Sequence, residues 1–401
     1  MNCKRSKTWW RVTLITASLI CFFAAGQSLS ADQSQSSVNY FPGDFLEYWA
    51  SARLLLDGRN PYSPEQQLAL QRTIVPNTEQ PLMMWNPPWT LSFILPFGLL
   101  SFSVAYILWL TVILACLLVC SVQLWQIYGG PPDRYRIAWL FCFSVAPTYL
   151  TLYITQIDPL VLLGIVGFLR FHQHKEHWLA GVALTLVVIK SHPVYLIWIA
   201  LGAWVLKERQ WQIMLGGLIG VAVATIIPLI FAPGIFSNYI QLYSTTEAPR
   251  PLDWANHTVS AALGLLFGLE NVWVRYIPLL IGLCWFTFYW RKQRLDWNWT
   301  KQMPLLLLVS QATTVFAWVW DQILLLPALI CGAVWAFRGG RRRMIRAGLV
   351  GFLMINLPPL LVVSKVLIPN GFWLFWMVPV FLLAYSIFKT KAAPAFTRHD
   401  A

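Results

Sequence analysis

Asp44 and Glu47 stand three residues apart in PGDFLEYWASARLLLDGRNPY, the polar and aromatic segment of residues 42–62. At about 100° per residue, Asp44, Glu47, Tyr48 and Ser51 share one sector of a helix, and Phe45, Trp49, Ala52 and Leu56 lie roughly opposite. Group transfer to a hydroxyl needs a carboxylate within hydrogen-bond reach of the acceptor proton, and Asp44 is a candidate for that base. An Asp at a helix start is also a common N-cap, and one residue can serve both roles. The helix is expected to begin at Gly43 or Asp44 and to end near Asp57-Gly58, ahead of the turn-prone Asn60-Pro61. It is expected to lie on the membrane surface with its acids on the wet side.

Other constellations carry chemistry less directly. In Lys190-Ser191-His192-Pro193, a lysine at a proline break can hold an anionic phosphate as a point charge, or can snorkel towards the interface. His192 reads more readily as structural than catalytic. Tyr153, Gln156 and Asp158 end an apolar run, where polar residues either line a cavity or form a plain turn. Asn256-His257-Thr258, after Trp254, and the group Trp318, Trp320, Asp321 and Gln322 combine rings with amides or acids. That pairing suits a pyranose, but Trp is also the usual interfacial anchor, and most of the 23 in this chain must be that. His172, His174 and His177, beside Lys175 and Glu176, have a metal-like spacing, but no acidic or Cys partner completes a tetrahedral set, and they read as a solvated loop. No Walker A, Rossmann fingerprint or HExxH occurs, so ATP-driven transport, dinucleotide chemistry and zinc proteolysis lack support and no cofactor is expected, while a cation between Asp44 and Asp321 stays open at this point.

The elements that must position these groups are membrane spans. A chain that is 58% hydrophobic and 11% charged, with a mean hydropathy of +0.58, is too apolar for a soluble domain. The net charge of +13 lies in short clusters between apolar runs, as positive-inside sorting would place it, so no nucleic-acid partner is needed. The seven cysteines avoid the large external loops, which argues against a disulfide framework. Lys4, Arg5, Lys7 and Arg11 precede an apolar run at 12–29. That run is either a retained span or a secretory signal cleaved near Ser30-Ala31, and in both cases the following loop, residues 30–87, is external. The loop starts with a Ser/Gln-rich linker and carries a second helix at about 64–73. Trp85-Asn86-Pro87-Pro88 marks an abrupt return into the bilayer, followed by a short helix at 89–100 and a span at 102–126.

Further runs lie near 137–154, 157–171, 178–190, 193–206, 211–231, 272–290, 303–319, 322–337, 346–364 and 372–388. With the runs at 12–29 and 102–126 they make about twelve crossings with both termini inside. Arg134/Arg136, Arg170/Lys175, Lys207/Arg209, Arg291/Lys292/Arg294, Arg338 to Arg346 and Lys389/Lys391 then fall on one side. Asp44, Glu47, Asp57, Glu65, Glu79, Asp158, Glu247, Asp253, Glu270 and Asp321 fall on the other, beside Arg53, Lys190, Arg250 and Lys365. Runs too short to reach the outer surface leave a cavity there, roofed by the loops at 232–257 and 364–371.

The order GDFLEYWASARLLLDGRNPY, NPPWTLSFILPFGLL, YITQIDPLVLLG, AGVALTLVVIKSHPVYL and ANHTVSAALGLL resembles glycosyltransferase family 87 of the GT-C class, over residues 40 to about 330. The resemblance implies one all-α, polytopic integral membrane domain over 1–401, a GT-C-like helical bundle in the plasma or inner membrane. It implies an enzyme that takes a hexose, often mannose, from a polyprenyl-phosphate donor to a lipid, glycan or protein hydroxyl on the extracytoplasmic face, without a metal. By position, Asp44 would be the acceptor-activating base, Tyr62, Asn86 and Pro88 match family elements, and Gln156 matches a Gly-Gln element. Lys190, with Arg53 as a second cation, would meet the donor phosphate. Glu47, Tyr48, Asp158, His192, Asn256, His257 and Asp321 are the remaining candidate substrate contacts. Gln156-Ile157-Asp158 stands for the family's Gln-x-Asn, and Asn256-His257-Thr258 for its Asn-Gln-Ser, which bears on sugar and acceptor identity. The alternative is a secondary transporter or lipid-linked-sugar flippase, which would require midplane charges and inverted repeats; no such symmetry is seen in the sequence.

Overall fold

The computed structural model of the chain describes residues 42–244, 256–268, 271–337, 352–353, 356 and 371–396. Several expectations lie outside the described residues. They are the basic N-terminus, the 12–29 run and the linker to residue 41, Glu247, Arg250, Asp253, Trp254, Glu270, the Arg338–Arg346 cluster, Lys365, and most of the 346–364 run and the loop after it.

Helix α1 (Phe45–Leu56) starts at a turn that only glycine accommodates. Gly43 has φ +63°, and a Cβ there would run into the Ile154 carbonyl and the Thr155 hydroxyl. At the other end Asp57 is the C-cap and Gly58 has φ +69°, a left-handed stop of the expected kind. The expected surface orientation is corrected. Phe45, Leu46, Tyr48, Trp49, Ala50, Ser51, Ala52, Leu54 and Leu55 are all buried, so α1 is enclosed on nearly every side. The reason lies in its partners. Phe45 stacks on Trp109 at 5.4 Å and meets Phe97 edge-on at 5.9 Å, while Trp49 Nε1–H donates to Leu100 O at 3.1 Å.

Helix α2 (Pro64–Gln71) begins with Ser63 accepting from Gln66 N–H and Pro64 at its first position. Its buried Gln67 and Gln71 tie it to the Ser51 hydroxyl and to Leu82. After a 3-10 turn at Pro88–Thr90 come α3 (Leu91–Gly98) and α4 (Phe102–Ile127). The expected single crossing at 137–154 is instead two helices, α5 (Arg136–Cys142) and α6 (Ala146–Ile154), bent by 71° at the break. Pro147 lacks an N–H, which suits the first turn of α6 and not the interior of a continuous helix.

Then follow α7 (Asp158–Gln173), α8 (His177–Val187), α9 (Tyr195–Glu208) and α10 (Trp211–Phe231). Two 3-10 turns, Val188–Lys190 and His192–Val194, separate α8 from α9 at Pro193. α8 crosses α10 closely at Gly181 and Gly216, where an added Cβ would strike the Ile213 or Trp178 carbonyl. The rest comprises α11 (Ile235–Leu242), α12 (Val259–Phe267), α13 (Val272–Gln293), α14 (Trp299–Thr313), α15 (Leu326–Phe337) and α16 (Met377–Phe396).

No strand occurs among the described residues. Four helical stretches there are long and apolar enough to cross a bilayer: Phe102–Ile127, Trp211–Phe231, Val272–Asp296 and Trp320–Phe337. The bent pair makes a fifth if it counts as one span. α10 exposes Leu218, Val223, Ile226 and Ile230, and α13 exposes Trp273, Leu280, Ile281 and Phe288, the apolar surfaces that lipid covers. The chain is an integral membrane protein; the described residues do not bear out a count of twelve crossings.

Candidate active site

Four separate stretches converge on one buried amide. Gln156 sits in the three-residue link between α6 and α7, after Thr155 has reversed the chain in a left-handed conformation (φ 59°). Its Oε1 accepts from Tyr48 Oη–H at 3.3 Å, from Lys190 Nζ at 3.5 Å and from Ile157 N–H at 3.3 Å. Its Nε2–H donates to a carboxylate oxygen of Asp44. Lys190 Nζ also donates to Asp158 Oδ2 at 3.1 Å and to Asp321 Oδ1 at 2.5 Å. Asp158 and Asp321 are fully buried.

The link itself is sewn to α1. Asp44 N–H donates to Ile154 O at 2.7 Å and Phe45 N–H to Thr155 Oγ1 at 3.1 Å, while Trp109 Nε1–H donates to Thr155 O at 2.9 Å. Asp44 occupies the N-cap position of α1, yet its side chain caps nothing. Between the two uses open to an Asp there, the carboxylate is turned away from the helix and towards Gln156.

Asp44 and Glu47 keep partial access to solvent while their neighbours on α1 are buried. Burial pushes the Asp44 carboxyl up to about 7. Lys190 and the Gln156 hydrogen bond act in the opposite direction, and Asp321 adds to the rise. Glu47 is raised as well, by burial first and then by the nearby Asp44. A carboxylate of this kind is half-protonated near neutral pH and can accept a proton there.

The two cations expected at the donor phosphate differ in their surroundings. Lys190, a candidate for the donor phosphate, holds two carboxylates, and the trio with both acids ionised is net negative. Arg53 forms an exposed i,i+4 pair with Asp57 at 3.4 Å and donates to Gly98 O at 3.4 Å; no hydrogen bond or ion pair joins it to the cluster. Asp158, a candidate substrate contact, pairs with Lys190 through Oδ2, and its Oδ1 has no hydrogen-bond partner.

The remaining candidates surround this centre. Asn86 Nδ2–H donates to Ile189 O at 3.2 Å, one residue before Lys190, and Asn86 O accepts from buried Tyr62 Oη–H at 3.2 Å. Pro88, also buried, opens the 3-10 turn that follows. His192 is exposed and 5.4 Å from the ring of Phe316. His257 N–H donates to Ala317 O at 3.2 Å and its ring lies 5.3 Å from Trp318, which stacks on Trp320 at 4.9 Å. The two aromatic constellations, some sixty residues apart in the chain, are therefore one, and Trp318 N–H donates to Asp321 Oδ2 at 2.8 Å. Asn256 is buried, accepting from Thr258 Oγ1–H at 2.7 Å and leaving its Nδ2 without a partner. Tyr153, by contrast, is 45% exposed.

Gln311, Thr155 and Trp109 belong to the site's frame and were not anticipated. Gln311 Nε2–H donates to Asp321 O at 2.8 Å. A glutamine in the middle of an apolar run was the available signal. His172 lies over Phe168, and among the described residues no group of three or more His, Cys, Asp or Glu is arranged to hold a metal. A separate cleft lined by Val145, Pro147, Gln322, Leu326 and Phe381 has no ionisable side chain.

Comparison with known proteins adds one match. The model of glycosyltransferase family 87 fits residues 85–310, more than half of the chain. No curated protein and no solved structure matches.

Proposed function

The chain belongs to glycosyltransferase family 87, and from that premise we propose that it moves a hexose, mannose foremost, from a polyprenyl-phosphate donor to a hydroxyl acceptor on the extracytoplasmic face. Asp44 takes the acceptor proton as the new bond to the anomeric carbon forms. The bond from that carbon to the phosphate oxygen breaks, and polyprenyl phosphate leaves with the electron pair. The donor's own ester supplies the driving force, which fits a chain without a nucleotide motif.

The observation that carries this reading is the state of Asp44. It stands where a cap would stand, caps nothing, keeps access to water and has its proton affinity raised to the neutral range. The joined Trp318, Trp320 and His257 group supports a pyranose beside it, with ring faces for the sugar's apolar side and unpartnered nitrogens on Asn256, His257 and Trp320 for its hydroxyls. The departing phosphate needs positive potential. Lys190 provides it when both of its carboxylates are protonated or displaced, since with one still ionised the pair is neutral.

The test is purified full-length protein in vesicles, supplied with labelled polyprenyl-phosphomannose and a membrane-lipid acceptor fraction. Release of polyprenyl phosphate that disappears in Asp44→Asn supports the reading. Transfer from a nucleotide sugar, with none from any polyprenyl-phosphate sugar, overturns the donor class.

A further inference from the structure

The amide of Gln156 can be oriented in only one way. Lys190 Nζ and the Ile157 N–H are donors and nothing else, so the atom facing them, at 3.5 and 3.3 Å, must be the carbonyl oxygen. The Tyr48 hydroxyl, 3.3 Å from the same oxygen, then donates too. With three donors on Oε1, the NH2 end has to face the Asp44 carboxylate, and it does. Gln156 is itself only 5% exposed, so water does not compete for these bonds.

We propose that Gln156 is a positioning residue for the base, its amide keyed by Lys190 and Tyr48 so that it ties down one oxygen of Asp44 and leaves the other to receive the acceptor proton. The inference rests on Asp44 being the base. It also gives the buried Lys190–Asp158–Asp321 trio a use besides holding helices together. The trio fixes the lysine, the lysine fixes the amide, and the amide fixes the carboxylate. A hydrogen bond donated to a carboxylate favours its charged form, so Gln156 also restrains the rise in proton affinity that burial imposes. The other charged or titratable groups facing Asp44 are Glu47 and Tyr48 on its own helix and Lys190 and Asp321 across from it, with Asp158 behind the lysine.

Carbodiimide modification tests this without needing the acceptor, because dicyclohexylcarbodiimide reacts with protonated carboxyls in apolar surroundings. In full-length protein, Asp44 modification is followed against pH by peptide mass spectrometry, with Glu47 distinguished by fragmentation. In Gln156→Leu the midpoint for Asp44 is expected to rise by about one pH unit, roughly tenfold in proton affinity. Tyr48→Phe, which keeps Gln156 in place, is expected to move it less and in the same direction, and it serves alone if Gln156→Leu does not fold. In the polyprenyl-phosphomannose assay, Gln156→Leu lowers kcat with little change in donor KM. Unchanged midpoints in both variants overturn the inference whatever the assay gives. A shifted midpoint together with full activity in Asp44→Asn overturns the base reading instead, and with it the catalytic meaning of this hydrogen bond.

Discussion

Lys190 Nζ lies 2.5 Å from Asp321 Oδ1, although 131 residues separate the two in the chain. With Asp158 at 3.1 Å on the same ammonium, one lysine joins the start of α7, the 3-10 turn after α8 and the turn before α15. Removing it leaves two buried carboxylates facing each other without a cation, a change that typically costs about 3–5 kcal/mol. Lys190→Met is therefore expected to lower the melting temperature of the detergent-solubilised protein sharply, and more than any change at Asp44. A Lys190→Met protein that melts like the parent and shows only a raised donor KM would assign the lysine to phosphate and not to the fold.

Asp44 makes no capping bond, so its carboxylate can be neutralised without unwinding α1. Asp44→Asn is expected to abolish transfer, by about a hundredfold or more for the loss of a general base, with membrane insertion and yield unchanged. Size-exclusion profiles alongside the transfer assay check both halves.

The raised proton affinity of Asp44 sets two pH dependences of different sign. A base must be unprotonated, so the rate is expected to fall as pH drops through about 7. Stability runs the other way. The folded state binds this proton more tightly than the unfolded chain, whose Asp titrates near 3.9, so the stabilising contribution is fully present below about pH 4 and is lost as pH rises through about 7. Asp44→Asn should accordingly melt higher than the parent at pH 8, with the difference closing towards pH 4. Melting curves at both pH values, on the same preparations, decide it.

Arg53 gives a contrasting expectation. Its pair with Asp57 is solvent-exposed, and such pairs contribute about 0–1 kcal/mol. Arg53→Ala should leave both melting temperature and donor KM close to the parent values. A severalfold rise in donor KM would restore it as a phosphate contact.

What could be read before folding follows from how local each signal is. The stop of α1 at Asp57-Gly58, the start of α2 at Pro64 and the spans at 102–127 and 211–231 are carried by caps, prolines and unbroken apolar runs within a turn or two, and each appears as expected. The enclosure of α1 was hidden, because the groups that close over it are distant in the chain: Phe97, Leu100 and Trp109 against its aromatic flank, and Gln67 and Gln156 against Ser51 and Tyr48 of its polar sector. The residues of the site were legible by type, since Asp44, Gln156, Asp158, Lys190 and Asp321 are costly in an apolar chain. Their contacts with one another were not. Whether a lysine is free for phosphate or bound to two acids depends on which ends of which helices meet, and Lys190 alone carries no sign of that.

The junction that aims Asp44 yields the last prediction. Gly43 is in the left-handed region, where a side chain costs about 1–3 kcal/mol, and its Cβ position is already filled by the Ile154 carbonyl and the Thr155 hydroxyl. Gly43→Ala must therefore move the start of α1 away from the end of α6. The bonds next to be lost are Asp44 N–H to Ile154 O and Phe45 N–H to Thr155 Oγ1, and with them the approach of Asp44 to Gln156. The buried remainder of α1, from Leu46 to Leu55, does not depend on those bonds, so the helix should stay packed. The expected result is a modest fall in melting temperature with at least a tenfold loss of transfer, because a base displaced by about 1 Å loses far more in rate than the fold loses in stability. Retained transfer in a Gly43→Ala protein of lowered melting temperature would show that the base does not need this junction.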